Sequence, residues 1–373
     1  MRTGTTRLPL HGGKCPAWLF QKMKHLAGLI IEVIVLEFGA KEVLQRVSDP
    51  FWFQGLGCAL GFDWHSSGLT TTTCAALKEG LKCREKELGF FIAGGKGKTS
   101  LRTPQEIEAA GSKFALGRHI EALQDTSRLV AKVDNTALQD GYNLYHHCIF
   151  FTDKGDWSVV QQGMNENTRW ARRYHWLGEG LKSFVSEPHK AICCDYRQQN
   201  ILNLIAAESE ENRENSALLS RENPERFLKE WSKIKEHETS LDLPRHHPLP
   251  QGKRISASLY KAYLEQPRDF QGLLSISGVG PQTVRALSLL AELTFGTPPS
   301  RKDPVRYSFA HGGKDGHPYP VNKVTYEQSI QILKETVSKA KIGEYDKMKA
   351  LKRLATFAKQ GNDKVFEKPR QQG

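Results

Sequence analysis

A chain of 373 residues, 39% hydrophobic and 25% charged, carries enough apolar material for two domains or three small ones and is no disordered or fibrous polypeptide. Its formal net charge of +12 favours polyanionic partners, nucleic acid first among them. Seven dispersed cysteines without a CxxC pair argue against a zinc ribbon or a thioredoxin-type dithiol, and fit free thiols in a reducing cytoplasm.

The opening "MRTGTTRLPLHGGKCP" is polar where a secretory leader needs an apolar core, so a cytoplasmic location is expected. The most apolar run, "LAGLIIEVIVLEFG", carries Glu32 and Glu37 and is too short to span a bilayer. It reads as a core helix or strand, with no membrane as partner. "AKEVLQRVSDP" has helical spacing and stops before Pro50. "GFDWHSSG" then sets Asp63, His65, Ser66 and Ser67 in a loop. A carboxylate and an imidazole there suit acid–base work or a divalent metal, but without strict ligand spacing the metal stays unassigned and a structural loop is the competing reading.

"FFIAGGKGKTS" reads as a strand running into a basic loop. The phosphate-loop pattern requires glycine where Ile92 stands, so ATP is not expected and contact with DNA suits the loop better. "TPQEIEAAG" opens a helix with Thr103 as cap, Pro104 at its first position and Glu106 closing a capping box. "CIFF" and "WSVV" flank a turn rich in Asp and Gly and form a hairpin. "TRWARRYHW" interleaves Arg169, Arg172 and Arg173 with Trp170, Tyr174 and Trp176, a pattern suited to stacking on unpaired bases beside phosphates. Its competing reading is an amphipathic helix whose aromatics are core.

Residues 201 to 240 are acidic, with nine Asp and Glu against six Lys and Arg, and the proline-rich "LPRHHPLPQGK" follows. The expected organisation is therefore α+β and predominantly helical. A mixed N-terminal domain with a small sheet covers 1–200, a connecting region 201–255, and a helical basic unit 256–373. From Arg301 to the end there are sixteen Lys and Arg against eight Asp and Glu. Helices are expected there from Thr325 onward.

The C-terminal unit opens with "LLSISGVGPQTVRAL". Leu273, Leu274 and Ile276 close one helix, Pro281 starts another, and Val284, Leu287 and Ala291 form its buried stripe. Between them Gly278 and Gly280 flank Val279. Glycines let the backbone turn tightly and let an outside group approach, and the N–H groups at the head of the second helix form an anion site. This arrangement resembles the helix-hairpin-helix, which grips DNA phosphates without reading sequence. Gln282, Thr283 and Arg285 on the second helix, and Lys314 in the loop "SFAHGGKDGHPYPV", join the expected DNA-contacting set. "FGTPPSRKDP" places Asp303 after a Gly- and Pro-rich loop, as in helix-hairpin-helix DNA glycosylases, where an aspartate stabilises an oxocarbenium-like sugar.

The strings "RLPLHGGKCPAWL", "SDPFWFQGLGCALGFDWHSSG", "GGKGKTS", "ARRYHW" and "SFAHGGKDGHPYPV" together resemble an uncharacterised archaeal and bacterial family, domain of unknown function number seven hundred and sixty-three. The resemblance implies no activity and no catalytic residue. The expected function is sequence-nonspecific DNA binding in repair or processing. The alternatives are a glycosylase using Asp303, a metal-dependent nuclease using Asp63 and His65, and a module whose hairpin binds protein.

Overall fold

The computed structural model describes residues 15–62, 66–117, 119–194, 197–236 and 252–305, with Ser338 and Met348. Asp63, His65, Lys314 and the helices expected from Thr325 onward otherwise lie outside the described residues.

Four helices open this part of the chain: α1 (Ala17–Phe38), α2 (Ala40–Ser48), α3 (Pro50–Leu60) and α4 (Gly68–Gly80). In α1, Met23, Leu26, Ala27, Ile30, Ile31 and Ile34 recur at helical spacing and are buried. No described helix is long and apolar enough to cross a membrane. Asp49 starts α3 by accepting hydrogen bonds from the backbone N–H of Phe51 (2.8 Å) and Trp52 (3.1 Å), with Pro50 at the helix start. Every residue of α3 is buried, as expected of a helix apolar on all sides. Helices α1 and α4 cross with backbones in contact, because both residues at the crossing are glycine. A Cβ on Gly28 would lie 2.5 Å from the Gly80 carbonyl oxygen.

A short α5 (Glu85–Leu88) leads into β1 (Phe90–Lys96), then α6 (Lys98–Leu101), α7 (Thr103–Phe114) and α8 (His119–Lys132). Helix α8 continues into a π-helical turn, Val133–Ala137. Then come β2 (Leu138–Gln139), β3 (Asn143–Thr152), β4 (Trp157–Asn165), β5 (Trp170–Leu177), β6 (Ala191–Cys193) and β7 (Leu202–Asn203). Helices α9 (Glu210–Ser220), α10 (Pro224–Glu236), α11 (Gly252–Glu265), α12 (Phe270–Ser275) and α13 (Pro281–Phe295) complete the described elements. The fold is mixed α+β and mainly helical, as expected.

Strands β1, β3, β4, β5 and β6 form one antiparallel sheet in the order β1-β3-β4-β5-β6. Both of its faces are covered. Phe90, Cys148, Phe150, Val160 and Cys193 pack on the α1–α4 layer. Phe91, Ile149, Phe151, Val159, Tyr174 and Trp176 pack on a second layer that includes Ile107 and Val130 together with Leu259, Leu274, Val284 and Leu287. The second core thus joins residues from both sides of the acidic stretch. The β2–β7 pair and the bridge between Asn203 and Ser300 stitch the same parts together.

Two local expectations are corrected. "TRWARRYHW" is neither a helix nor a basic surface: it supplies β5, whose alternation sends Arg172, Tyr174 and Trp176 to one face and Arg173 and His175 to the other. Both arginines are fully buried, so neither can touch nucleic acid. Glu106 closes no capping box. Its carboxylate accepts from the backbone N–H of Gly94 (2.6 Å) and from Lys78 Nζ (2.6 Å), while Lys78 Nζ also donates to the Gly94 carbonyl (2.8 Å). Thr103 sits within the first turn of α7 and donates to the Ser100 carbonyl (2.7 Å). A tertiary partner has outcompeted the local one.

The glycine crossing sets a first expectation. In a free helix interior Gly→Ala gains about 1 kcal/mol. At Gly28 the added methyl meets backbone, so Gly28→Ala should instead destabilise by about 1–3 kcal/mol in urea unfolding.

Burial lowers the pKa of three histidines in the sheet. His146 is pushed down to about 3, by burial first and then by His147 and Lys96. Burial also lowers His147, and lowers His175 with help from Arg173. All three bind a proton more weakly in the fold than after unfolding, where they titrate near the ordinary value of about 6.5. Their stabilisation is therefore complete above pH 6.5 and is lost as pH falls below it, by up to about 1.4 kcal/mol per pH unit for each. Urea midpoints should fall steeply from pH 6.5 to 5, and His146→Leu should remove about one proton from that slope.

Candidate functional site

Helices α12 and α13 are joined by a tight turn. Asp269 caps α12 by accepting from the Gly272 N–H (2.7 Å). Ile276 leaves the helix extended, and Gly278 follows at φ +95°, in the left-handed region that glycine tolerates. Val279 is buried in the core between the helices, and its N–H donates to the Ile276 carbonyl (3.3 Å). Gly280 is extended and precedes Pro281, which starts α13.

The carbonyl side of this turn is occupied. Lys132, at the end of α8, donates from Nζ to the carbonyls of Ile276 (2.8 Å) and Val279 (2.6 Å). Burial lowers its pKa, with the charge of Lys261 as a second cause. The amide side is open. The N–H groups of Gly278, Gly280, Gln282 and Thr283 donate to no described residue, and a Cβ on either glycine would meet nothing within 4 Å.

The expected DNA-contacting residues divide accordingly. Gly278 and Gln282 are exposed and Gly280 is partly so. Val279 and Thr283 belong to the packing, the Thr283 hydroxyl sharing a 2.6 Å hydrogen bond with Ser258. Arg285 is half-buried, donates from Nε to Gln139 Oε1 (2.9 Å), and is pushed down to about 10 by burial. Arg169 is exposed at the tip of the β4–β5 hairpin, at φ +57°. Lys314 lies outside the described residues, as do Asp63 and His65.

Behind the turn runs a buried polar ladder that no local motif announces. Ser127 Oγ meets His147 Nε2 (2.8 Å), His147 Nδ1 meets Gln161 Oε1 (2.7 Å), and Gln161 Nε2 donates to Asp134 Oδ2 (2.5 Å). Asp134, in the π-helical turn, also accepts from Trp176 Nε1 at Oδ2 (2.9 Å) and from His189 Nε2 at Oδ1 (2.5 Å). π-Turns of this kind recur at functional sites. His189 stands in "SEPHK", outside any recognisable motif. Lys132 and Asp134 sit in an ordinary helical run, Gln139 just beyond it, and none carried a signal.

A second buried group centres on Arg172. Its Nη1 donates to Asp140 Oδ2 (2.8 Å) and Asp303 Oδ1 (3.1 Å), and its Nη2 to Asp303 Oδ2 (2.7 Å). The Tyr142 ring lies 4.5 Å from the guanidinium carbon, and the Tyr174 hydroxyl donates to Asp140 (2.8 Å). Burial raises the pKa of Asp140. Asp303 also accepts from the backbone N–H of Gln198 (2.6 Å) and Val305 (3.0 Å). This corrects the glycosylase assignment. An aspartate that faces a sugar needs an available carboxylate, and the Asp303 side chain is 2% exposed with both oxygens on Arg172. Arg173 is likewise internal, donating to Gln54 Oε1 (3.0 Å), Thr70 Oγ1 (3.3 Å) and His175 Nε2 (2.9 Å). Among the described residues no group of three or more His, Cys, Asp or Glu could hold a metal ion.

Asp303 should therefore behave as a structural anchor. Asp303→Ala leaves a buried guanidinium short of one counter-ion and should cost about 3–5 kcal/mol, read as a lower urea midpoint.

No curated protein and no solved structure matches the chain. One family model does, described as a protein of unknown function (DUF763), and it matches residues 4–321. That span takes in every element from α1 to α13, the sheet and the Gly-Val-Gly turn. The chain belongs to the DUF763 family of proteins of unknown function.

Proposed function

We propose that the protein binds duplex DNA through its backbone phosphates, without sequence preference, using the Gly278–Gly280 turn and the first turn of α13 as a helix-hairpin-helix does. DNA repair or processing is the setting such binding suits. One observation carries the reading: N–H groups of the turn and of the α13 start have no partner among described residues and border open space at both glycines. These N–H groups and the positive end of the helix dipole suit a phosphate oxygen, and a phosphate carries no base identity. Lys132 holds the carbonyls of Ile276 and Val279 and so fixes the turn from the side opposite its open N–H groups. The excess of Lys and Arg after Arg301 supplies charge for further phosphates.

The test is fluorescence anisotropy of the full chain with a labelled duplex of arbitrary sequence, in rising salt. Affinity should fall linearly on a log–log plot, with a slope near −0.9 per phosphate neutralised. Gly280→Glu places a carboxylate where the phosphate would sit and should weaken binding at least tenfold. Because the site is extended and open, the fold should tolerate that change to within about 0.5 kcal/mol. Salt-independent binding, or unchanged affinity in a folded Gly280→Glu variant, overturns the proposal. Retention of a protein partner but not DNA would make the hairpin a protein-binding module instead.

A further inference from the structure

Residues 132–140 touch two features at once. Lys132 and Gln139 reach the hairpin: Lys132 as above, and Gln139 by donating from Nε2 to the Pro281 carbonyl (2.9 Å). Asp134 and Asp140 reach His189 and the Arg172–Asp303 pair. His189 and Asp303 line a cleft of about 430 Å³, within the range of small-ligand sites.

The cleft is chemically divided. Ile192, Ile205 and Val305 give it apolar wall. Arg197 also lines it, and its single hydrogen bond among the described residues, to the Val305 carbonyl (3.3 Å), leaves guanidinium donors unused. His189 supplies the third element. Trp176 and Gln161 both donate to Asp134 Oδ2, and His189 Nε2 lies 2.5 Å from Oδ1, where a carboxylate takes Nε2–H as its donor. The ring is packed edge-on against Trp176, with centroids 4.5 Å apart. A histidine fixed in this way through one nitrogen offers the other, here Nδ1, as a proton acceptor. Nδ1 makes no hydrogen bond to the described residues.

We propose that this cleft binds a single nucleotide unit. Its phosphate would lie on Arg197, its base against Ile192, Ile205 and Val305, and a protic group would donate to Nδ1 of His189. Glu187, Glu208 and Lys302 line the cleft too, the last two paired with each other at 2.9 Å. The Arg197 cation, the apolar wall and the fixed proton acceptor are the features that suit a small anion with a flat apolar body. The choice of a nucleotide among such anions rests on the DNA reading, because the same nine-residue segment holds the hairpin.

The full chain, with ¹⁵N-labelled histidine, is titrated with the four deoxynucleoside 5′-monophosphates, the matching nucleosides and inorganic phosphate. Binding is followed by the His189 ring resonances and by calorimetry. Saturable binding of at least one monophosphate is expected, at least tenfold tighter than inorganic phosphate, with the His189 Nδ1 resonance moving. Arg197→Met, at an exposed position, should weaken the monophosphate at least tenfold, leave the nucleoside unaffected and keep the thermal midpoint. His189→Gln should weaken the calorimetric binding of the monophosphate at least tenfold. Unmoved His189 resonances with every nucleotide overturn the proposal, as does equal affinity for phosphate and nucleotide. Nucleotide binding in a chain that fails the duplex test would remove the hairpin reading and leave the cleft standing.

Discussion

A guanidinium buried from water dictates much of this molecule. Arg172 is wholly enclosed, and an isolated charge at such depth would cost several kcal/mol even after relaxation. It is tolerated because Asp140 and Asp303, far apart in sequence, close on it from two sides, with the Tyr142 ring against its plane. Such a group admits little play. Displacing either carboxylate strands a charge, so β5, the 132–140 segment and the chain near Asp303 hold one arrangement. The two backbone N–H bonds to Asp303 extend that fixity to Gln198 and Val305.

The segment so fixed is where the polar ladder and the hairpin meet. Ser127, His147 and Gln161 pass hydrogen bonds across α8, β3 and β4 to Asp134, and Lys132 is two residues away with its ammonium on the turn. Asn212 adds a tie on the far side, donating to the Ser288 and Thr297 carbonyls (3.0 and 2.6 Å) and pinning α13 to α9. The phosphate binding proposed for this turn would gain from such bracing. The donors keep their aim without an ordering cost at the moment of binding.

What the sequence made legible was local. The burial of the apolar run that became α1, the stop before Pro50, the β3–β4 hairpin and the helix start at Pro281 each rest on a few neighbouring residues, and each formed. What it hid depends on partners far along the chain. "TRWARRYHW" is compatible with periods of 3.6 and 2, and nothing within it says that Arg172 will meet Asp303, 131 residues on. Buried arginines on a strand look like a basic patch until their carboxylates are placed. Asp303 drew notice for the right reason, a charged residue after a Gly- and Pro-rich loop, but its partner is internal. Asp134 drew none, since one aspartate in a helical run reads as solvated surface.

Strand β1 lies at the edge of the sheet, and an edge strand exposes hydrogen-bonding groups on which another chain can add. At Gly94 those groups are already taken: Glu106 holds the N–H and Lys78 the carbonyl, while the two side chains pair with each other. An ion pair thus imitates, with side-chain atoms, one rung of the neighbour that a sixth strand would supply. At that rung the sheet ends by occupation, not by lack of room, and the charged pair that ends it also discourages edge-to-edge association between copies of the chain.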